Sequence, residues 1–423
     1  MKRIIYVIFL MVATIALAKP FEANYDESKV TDYTLPDALV ASDGSEVKDV
    51  KTWISKRRLE ILSMFEEHVY GRVPDNAGDV TFEVFESSDD AVDGLATRKQ
   101  VRVYLLGDKA GPFMDVLIYL PKKVNPAPLF LGINFYGNQT LIDDPAIRIS
   151  KSWTRDNEDF GIIDNLATEA SRGVRAERWP VKFIIENGYG LAAVYYGDID
   201  PDDRGRFDNG IHPYFYEDGQ THPAANEWGS IAAWAWGLSC AMDYFETDAD
   251  IAHDKVAVMG HSRLGKTSLW AGATDERFAI AISNDSGCGG AALSRRRFGE
   301  TVGRINEQFP HWFCDNFNNF NDNEAALPVD QHELIALMAP RPVYVASAEE
   351  DRWADPRGEF LSAKLANPVY ELFGLVGLPA DEMPNVDEPV SGTIGYHMRT
   401  GKHGVLQFDW QQYINFANKH FNQ

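Results

Sequence analysis

The stretch Lys255-Val256-Ala257-Val258-Met259-Gly260-His261-Ser262-Arg263-Leu264-Gly265-Lys266 decides the fold. A short apolar run stops at a glycine, a serine follows at a corner, and helix-compatible residues continue. That order predicts a strand–serine–helix elbow, which raises a serine oxygen above the end of a parallel sheet. Glycine suits such a corner because it lets the backbone turn tightly and leaves room beside a strained serine. The usual spacing is G-x-S-x-G. Gly260 fits it, whereas Leu264 holds the second glycine position and Gly265 comes one residue late.

Outward from the elbow, Glu227–Phe245 predicts a long aromatic-rich helix leading into the Val256–Met259 strand. Phe278–Ser283 and Val343–Ala346 read as further buried strands. Gly190–Tyr196 reads as another, ending in the acidic turn Gly197–Asp203. Upstream, Gln100–Leu106, Met114–Leu120 and Leu129–Phe135 are strand-like, with a hairpin connection at Gly107-Asp108 and Gly111-Pro112. Trp53–Tyr70 and Val405–Phe421 carry apolar residues at helical spacing. Short buried strands alternating with helices predict an α/β fold, a mostly parallel twisted sheet with helices on both faces. No repeat or linker divides the chain. Residues 19–423 are expected to form one domain, with the polar stretch Phe21–Asp49 as an arm around it.

The first residues read as a secretory leader. Lys2 and Arg3 precede the apolar run Ile4–Leu17, and Ala16-Leu17-Ala18 supplies a small-x-small cleavage site, so residues 1–18 are expected to be a signal peptide. Export to the periplasm or the medium follows. No cysteine stands directly after the cleavage site, and no later segment approaches the roughly 20 apolar residues of a membrane span, so no membrane anchor is expected. The net charge of −23 and pI of about 4.8 repel nucleic acid and anionic surfaces, which excludes nucleic-acid binding. Cys240, Cys288 and Cys314 allow at most one disulfide and show no zinc-ligand spacing. Neither metal nor cofactor is expected, and the chain is expected to be a monomer.

A serine hydroxyl becomes nucleophilic when a histidine takes its proton and a carboxylate orients that histidine. In this fold class the chain order is serine, acid, histidine, each on a loop after a strand. His68, His212, His222 and His253 precede the serine, and His261 is its neighbour, read as pointing elsewhere on the turn. His420 sits in the terminal helix. His403, in the glycine-flanked loop Thr400-Gly401-Lys402-His403-Gly404, is preferred over its competitor His397. Two acids fall at strand ends: Asp351, after Val343–Ala346, and Asp285, after Phe278–Ser283. Either serves this reading.

Gly260-x-Ser262-Arg263-x-Gly265-Lys266 resembles the signature of the glucuronoyl esterases, secreted carbohydrate esterases with an α/β-hydrolase fold. The likeness runs from about Gly132 to the C-terminus, including Asn134-Phe135-Tyr136-Gly137-Asn138 and the His403 loop, and the late glycine is that family's spacing. The resemblance implies cleavage of the ester between the glucuronic acid of xylan and a lignin alcohol. It implies Ser262 as nucleophile, His403 as base, and Arg263 as oxyanion stabiliser through its N–H and guanidinium. Lys266, Glu300 and Trp353 match the sugar contacts. The family commonly has Glu where this chain has Asp285, which favours Asp351 as the acid. Fungal members carry a disulfide flanking serine and histidine. Here those flanks are His261 and Gly404, which fits the bacterial branch. Two rival readings are an acetyl xylan esterase, with the sugar on the alcohol side, and a noncatalytic glycan-binding protein.

Overall fold

The computed structural model describes residues 21–75 and 77–421, so the expected leader lies outside the described residues. Ten strands form one sheet: β1 (Thr81–Ala91), β2 (Ala96–Tyr104), β3 (Phe113–Pro121), β4 (Ala127–Asn134), β5 (Gly190–Tyr195), β6 (Ile251–His261), β7 (Ile280–Asn284), β8 (Val343–Ala348), β9 (Val390–Ser391) and β10 (Ile394–Arg399). Their spatial order is β1-β2-β3-β5-β4-β6-β7-β8-β10-β9. The run from β5 to β10 is parallel. Both edges are antiparallel, so the expected parallel sheet holds for its centre.

Helices cover both faces. The central strands alternate their side chains between two apolar cores. Leu129, Leu131, Val256 and Val258 face α1 (Arg58–Phe65), α3 (Ser230–Phe245) and α4 (Arg263–Thr274). Phe130, Ala257 and Met259 face α2 (Val181–Glu186) and α7 (Gln407–Phe421). Each large apolar side chain buried this way stabilises the fold by roughly 1.5–3 kcal/mol. The helical reading of Trp53–Tyr70 is matched by α1 and the π-helical turns flanking it.

Three strands of the sheet escaped the sequence reading: β1, β10 and the two-residue edge strand β9. β1 is an edge strand with charged or exposed residues on both sides, so it shows no apolar alternation. β10 carries Gly395, His397 and Arg399, polar positions that only tertiary partners make tolerable. Both β1 and β10 matter to the site's frame, β10 directly. The parallel strands end on one edge, and the loops after β5, β6, β7, β8 and β10 converge there, as ligand sites in such sheets do. The arm from Phe21 reaches the same edge: Asn24 O accepts from Gly299 N–H at 2.8 Å, and Phe21 lies edge-on to Trp353.

Candidate active site

The elbow forms between β6 and α4. Ser262 has φ 60° and ψ −128°, a region that non-glycine residues enter only when the surroundings force them to. Two glycines do the forcing. A Cβ on Gly260 would stand 1.7 Å from Leu264 O, so no side chain fits there. A Cβ on Gly265 would meet Ser286 Cβ at 3.0 Å and Asn284 O at 3.1 Å. The late glycine therefore lets α4 settle against the end of β7. Ser262 N–H donates to Asn284 O at 2.8 Å, fixing the corner to that strand. Arg263 opens α4, where N–H groups of the first turn lack intrahelical partners and favour negative charge.

All the residues singled out from the sequence meet in one cavity of about 260 Å³. Ser262, Arg263, Lys266, Asp285, Glu300, Asp351, Trp353 and His403 line it. A larger cavity of about 570 Å³, around Lys255, Pro342 and His420, lies at the opposite ends of the strands and contains none of them.

His403 Nδ1 lies 2.6 Å from Asp351 Oδ2, which leaves Nε2 as its second working nitrogen. Asp285 Oδ2 is 4.0 Å from the same Nδ1 and accepts instead from Gly404 N–H at 3.1 Å. Burial, with Asp351 and Glu359 nearby, pushes the Asp285 carboxyl well above the usual range. Its Oδ1 is buried without a partner. The three groups also offer ligating atoms within 4.8 Å of one another, near enough to share a cation. The competitor His397 is fully buried, with Nε2 2.9 Å from Asp409 Oδ1 and Nδ1 3.0 Å from Tyr344 Oη.

Several groups hold the loops in place. Arg399 donates to Asp409 at 2.9 Å, Gly404 O at 2.6 Å and Lys402 O at 2.8 Å, so the His403 loop is gripped from below. Glu359, on α6 (Pro356–Leu365, with α5 at Gln331–Ala336), accepts from Ser286 N–H at 2.8 Å, Gly287 N–H at 2.9 Å and Ser347 Oγ at 2.5 Å. It thus joins the two acid-bearing loops. Burial pushes its pKa up to about 7 against those donors.

Three expectations change. His261 does not point away: its ring lies 4.3 Å from that of His403, and Nδ1 is 2.6 Å from Asn284 Oδ1. Burial, then His403 and Arg178, keep it well below its ordinary pKa, so it packs as a neutral ring tilted 45° to that of His403. Lys266 is 3% exposed and spends two of its three N–H donors on backbone, on Ser286 O and on Cys288 O at 2.6 Å. One donor at most is left for a ligand, because a buried ammonium must be satisfied by its own protein first. The Arg263 guanidinium is not free either. It pairs with Asp202 and lies 4.6 Å from the Trp312 ring centroid, while its Nε is buried without a partner.

Asp202 is the main residue missed. Burial works to raise its pKa, but Arg263, His311 and Trp312 overcome this and hold it at about 2. Its signal was the acidic turn after the β5 run, an anion placed at a strand end of the site. Phe309 and Trp312 also line the cavity and carry no motif. Glu300 is raised by burial and drawn back by Lys266, and it sits beside Trp353, whose O accepts from Glu300 N–H at 3.1 Å. Cys240, Cys288 and Cys314 are free thiols.

A family model described as glucuronyl esterase, fungi, matches residues 208–374. A carbohydrate esterase of an unknown prokaryotic organism is 55% identical over 407 residues, covering 95% of this chain and 93% of that protein. Among solved structures, a promiscuous esterase of carbohydrate esterase family 15 from the marine bacterial metagenome is 56% identical. It covers 94% of this chain and 100% of its own, with a TM-score of 0.89. The glucuronoyl esterase from Solibacter usitatus is 48% identical over 93% of this chain and 100% of its own, with a TM-score of 0.88. The likeness thus extends well upstream of Gly132, where the sequence reading began it.

Proposed function

Given that the chain belongs to the glucuronoyl esterases of carbohydrate esterase family 15, and is a carboxylic ester hydrolase with an α/β-hydrolase fold, we propose how its own residues divide the work. Ser262 attacks the carbonyl carbon of an ester of (4-O-methyl-)glucuronic acid, and His403 Nε2 takes its proton. Asp351 orients the ring through Nδ1 and stabilises the imidazolium. The oxyanion that develops is met by the Arg263 N–H and by its unpartnered Nε, donors that gain most when charge appears in a dry cavity. His403 then protonates the departing alcohol, and water hydrolyses the acyl-enzyme by the same route in reverse order.

The observation that carries this reading is a strained serine sharing a 260 Å³ cavity with a histidine whose Nδ1 is 2.6 Å from a carboxylate. Around it, Glu300, the remaining Lys266 donor and the Trp353 face suit a uronate ring. We take the natural ester to join xylan glucuronate to lignin alcohols, and the leader at residues 1–18 to export the enzyme, a monomer, to that substrate.

A second reading, an acetyl xylan esterase, draws on the likeness to the promiscuous metagenomic esterase. Methyl or benzyl glucuronate and acetylated xylan, each assayed with wild type and Ser262→Ala, separate the two. Faster turnover of the glucuronate ester, lost by about 10³-fold or more in Ser262→Ala, is the expected result. A preference for acetyl esters, or undiminished turnover in the variant, sinks the proposal.

A further inference from the structure

Beyond the turn Ile199–Asp202, the same edge of the sheet carries a second cavity that the hydrolytic steps do not use. It measures about 280 Å³ and is lined by Phe113, Ser152, Trp153, Asp198, Asn209 and Tyr214 around a floor of glycine and proline. The two cavities are neighbours. Pro201 lines this one, and the next residue, Asp202, anchors Arg263 of the serine cavity. The turn that lines one cavity thus anchors a side chain that lines the other.

The lining differs in charge as well as place. Arg263 and Lys266 line the serine cavity, whereas no lysine or arginine lines the second one. Its one charged group is Asp198, which accepts from Ser152 Oγ at 2.6 Å and Ser150 Oγ at 2.9 Å. Asn209 Nδ2 reaches Asp203 at 3.3 Å, but its Oδ1 is buried with no partner. A buried amide oxygen left unpaired costs free energy that a donor from a ligand would recover. Tyr214 is 56% exposed and Trp153 half-buried, so aromatic surface that would gain from cover stands open to solvent.

Aromatic faces pack against the C–H faces of a pyranose, and amide and carboxylate oxygens accept hydrogen bonds from its hydroxyls. An anionic sugar would be repelled by Asp198, and a plain phenyl ring would leave Asn209 unpaired. We propose that this cavity is a subsite for a neutral pyranose unit of the polysaccharide whose uronate ester occupies the serine cavity. The inference rests on the uronate-ester reading and adds to it a second point of contact with the polymer.

The test compares wild type, Trp153→Ala, Tyr214→Ala and Trp153→Phe on two esters: methyl glucuronate, and a methyl ester of glucuronic acid carried on a xylo-oligosaccharide. In the alanine variants kcat/KM on the oligosaccharide ester is expected to fall about 5–20-fold, chiefly through KM. The monosaccharide ester should be unaffected, and Trp153→Phe should recover most of the loss. An equal loss on both esters, or none on the oligosaccharide ester, overturns the subsite. Titration of wild type and Trp153→Ala with unesterified xylohexaose reads the subsite without hydrolysis. Binding by wild type that the variant loses upholds it even if glucuronate esters prove not to be substrates, and equal binding or none by both overturns it.

Discussion

Two histidines six residues apart each meet an aspartate, His397 through Nε2 and His403 through Nδ1, and lead different lives. His397 lies in β10 with 0% exposure and meets Asp409 at 2.9 Å. His403 lies in the next loop, its side chain 42% exposed, and meets Asp351 at 2.6 Å. The first pair, with Arg399, is a buried brace that sets the loop's height. The second opens into the serine cavity. A carboxylate partner therefore does not mark a working histidine. What separates the two is that His403 lines the serine cavity and His397 does not.

Exchanging the two roles by mutation gives the largest effects. His403→Ala is expected to lower kcat/KM on methyl glucuronate by about 10³-fold or more while leaving the melting temperature within a degree or two. His397→Ala should do the reverse, costing about 2–4 kcal/mol of stability through a cavity and an underpaired Asp409, with the folded fraction still active. A stable, inactive His397→Ala would break the comparison.

The acids sharpen it next. Asp351→Asn should cost about 10²–10⁴-fold in kcat, since it presents the wrong tautomer partner to Nδ1. Asp285→Asn should cost less than about tenfold. Its carboxyl is held toward the neutral form, and an amide keeps an acceptor for Gly404 N–H. A severe loss in Asp285→Asn would hand it the orienting role.

A separate effect, on stability, concerns Glu359 and pH. Its pKa in the fold is about 7, above the 4.5 of an unfolded glutamate, so the folded state binds the extra proton between those values. That contribution is full below about pH 4.5 and is lost as pH rises through 7. Thermal melts of wild type and Glu359→Gln across pH 4.5–8 should converge on the acid side. Toward neutral pH, wild type should lose on the order of 2–3 kcal/mol relative to the variant. Parallel curves would show that Glu359 does not hold that proton.

What the sequence made legible follows the physics of each region. Buried strands such as β4, β5 and the Val256–Met259 half of β6 are nearly continuous apolar runs, and the elbow's glycine and serine sit at a fixed offset from one of them. His403 and Asp351 could be found because strand ends in this topology point to one edge. β10 could not, since the partners of its His397, Asp409 and Tyr344, stand 12 and 53 residues away along the chain and leave no local pattern. The backbone partners of Lys266 were hidden for a related reason. A lysine one turn past the serine faces the cavity, yet only the tertiary fold brings Ser286 O and Cys288 O to its ammonium. The late glycine was legible as a deviation, but its cause, the close approach of α4 to Ser286, was not.

The most direct measurement is peptide-mapped labelling by a fluorophosphonate in wild type, His403→Ala and His397→Ala. A single adduct on Ser262, formed in wild type and in folded His397→Ala but slowed at least 100-fold in His403→Ala, is the expected result. Labelling at another residue, or Ser262 labelling as fast in His403→Ala as in wild type, would contradict the assignment of serine and base.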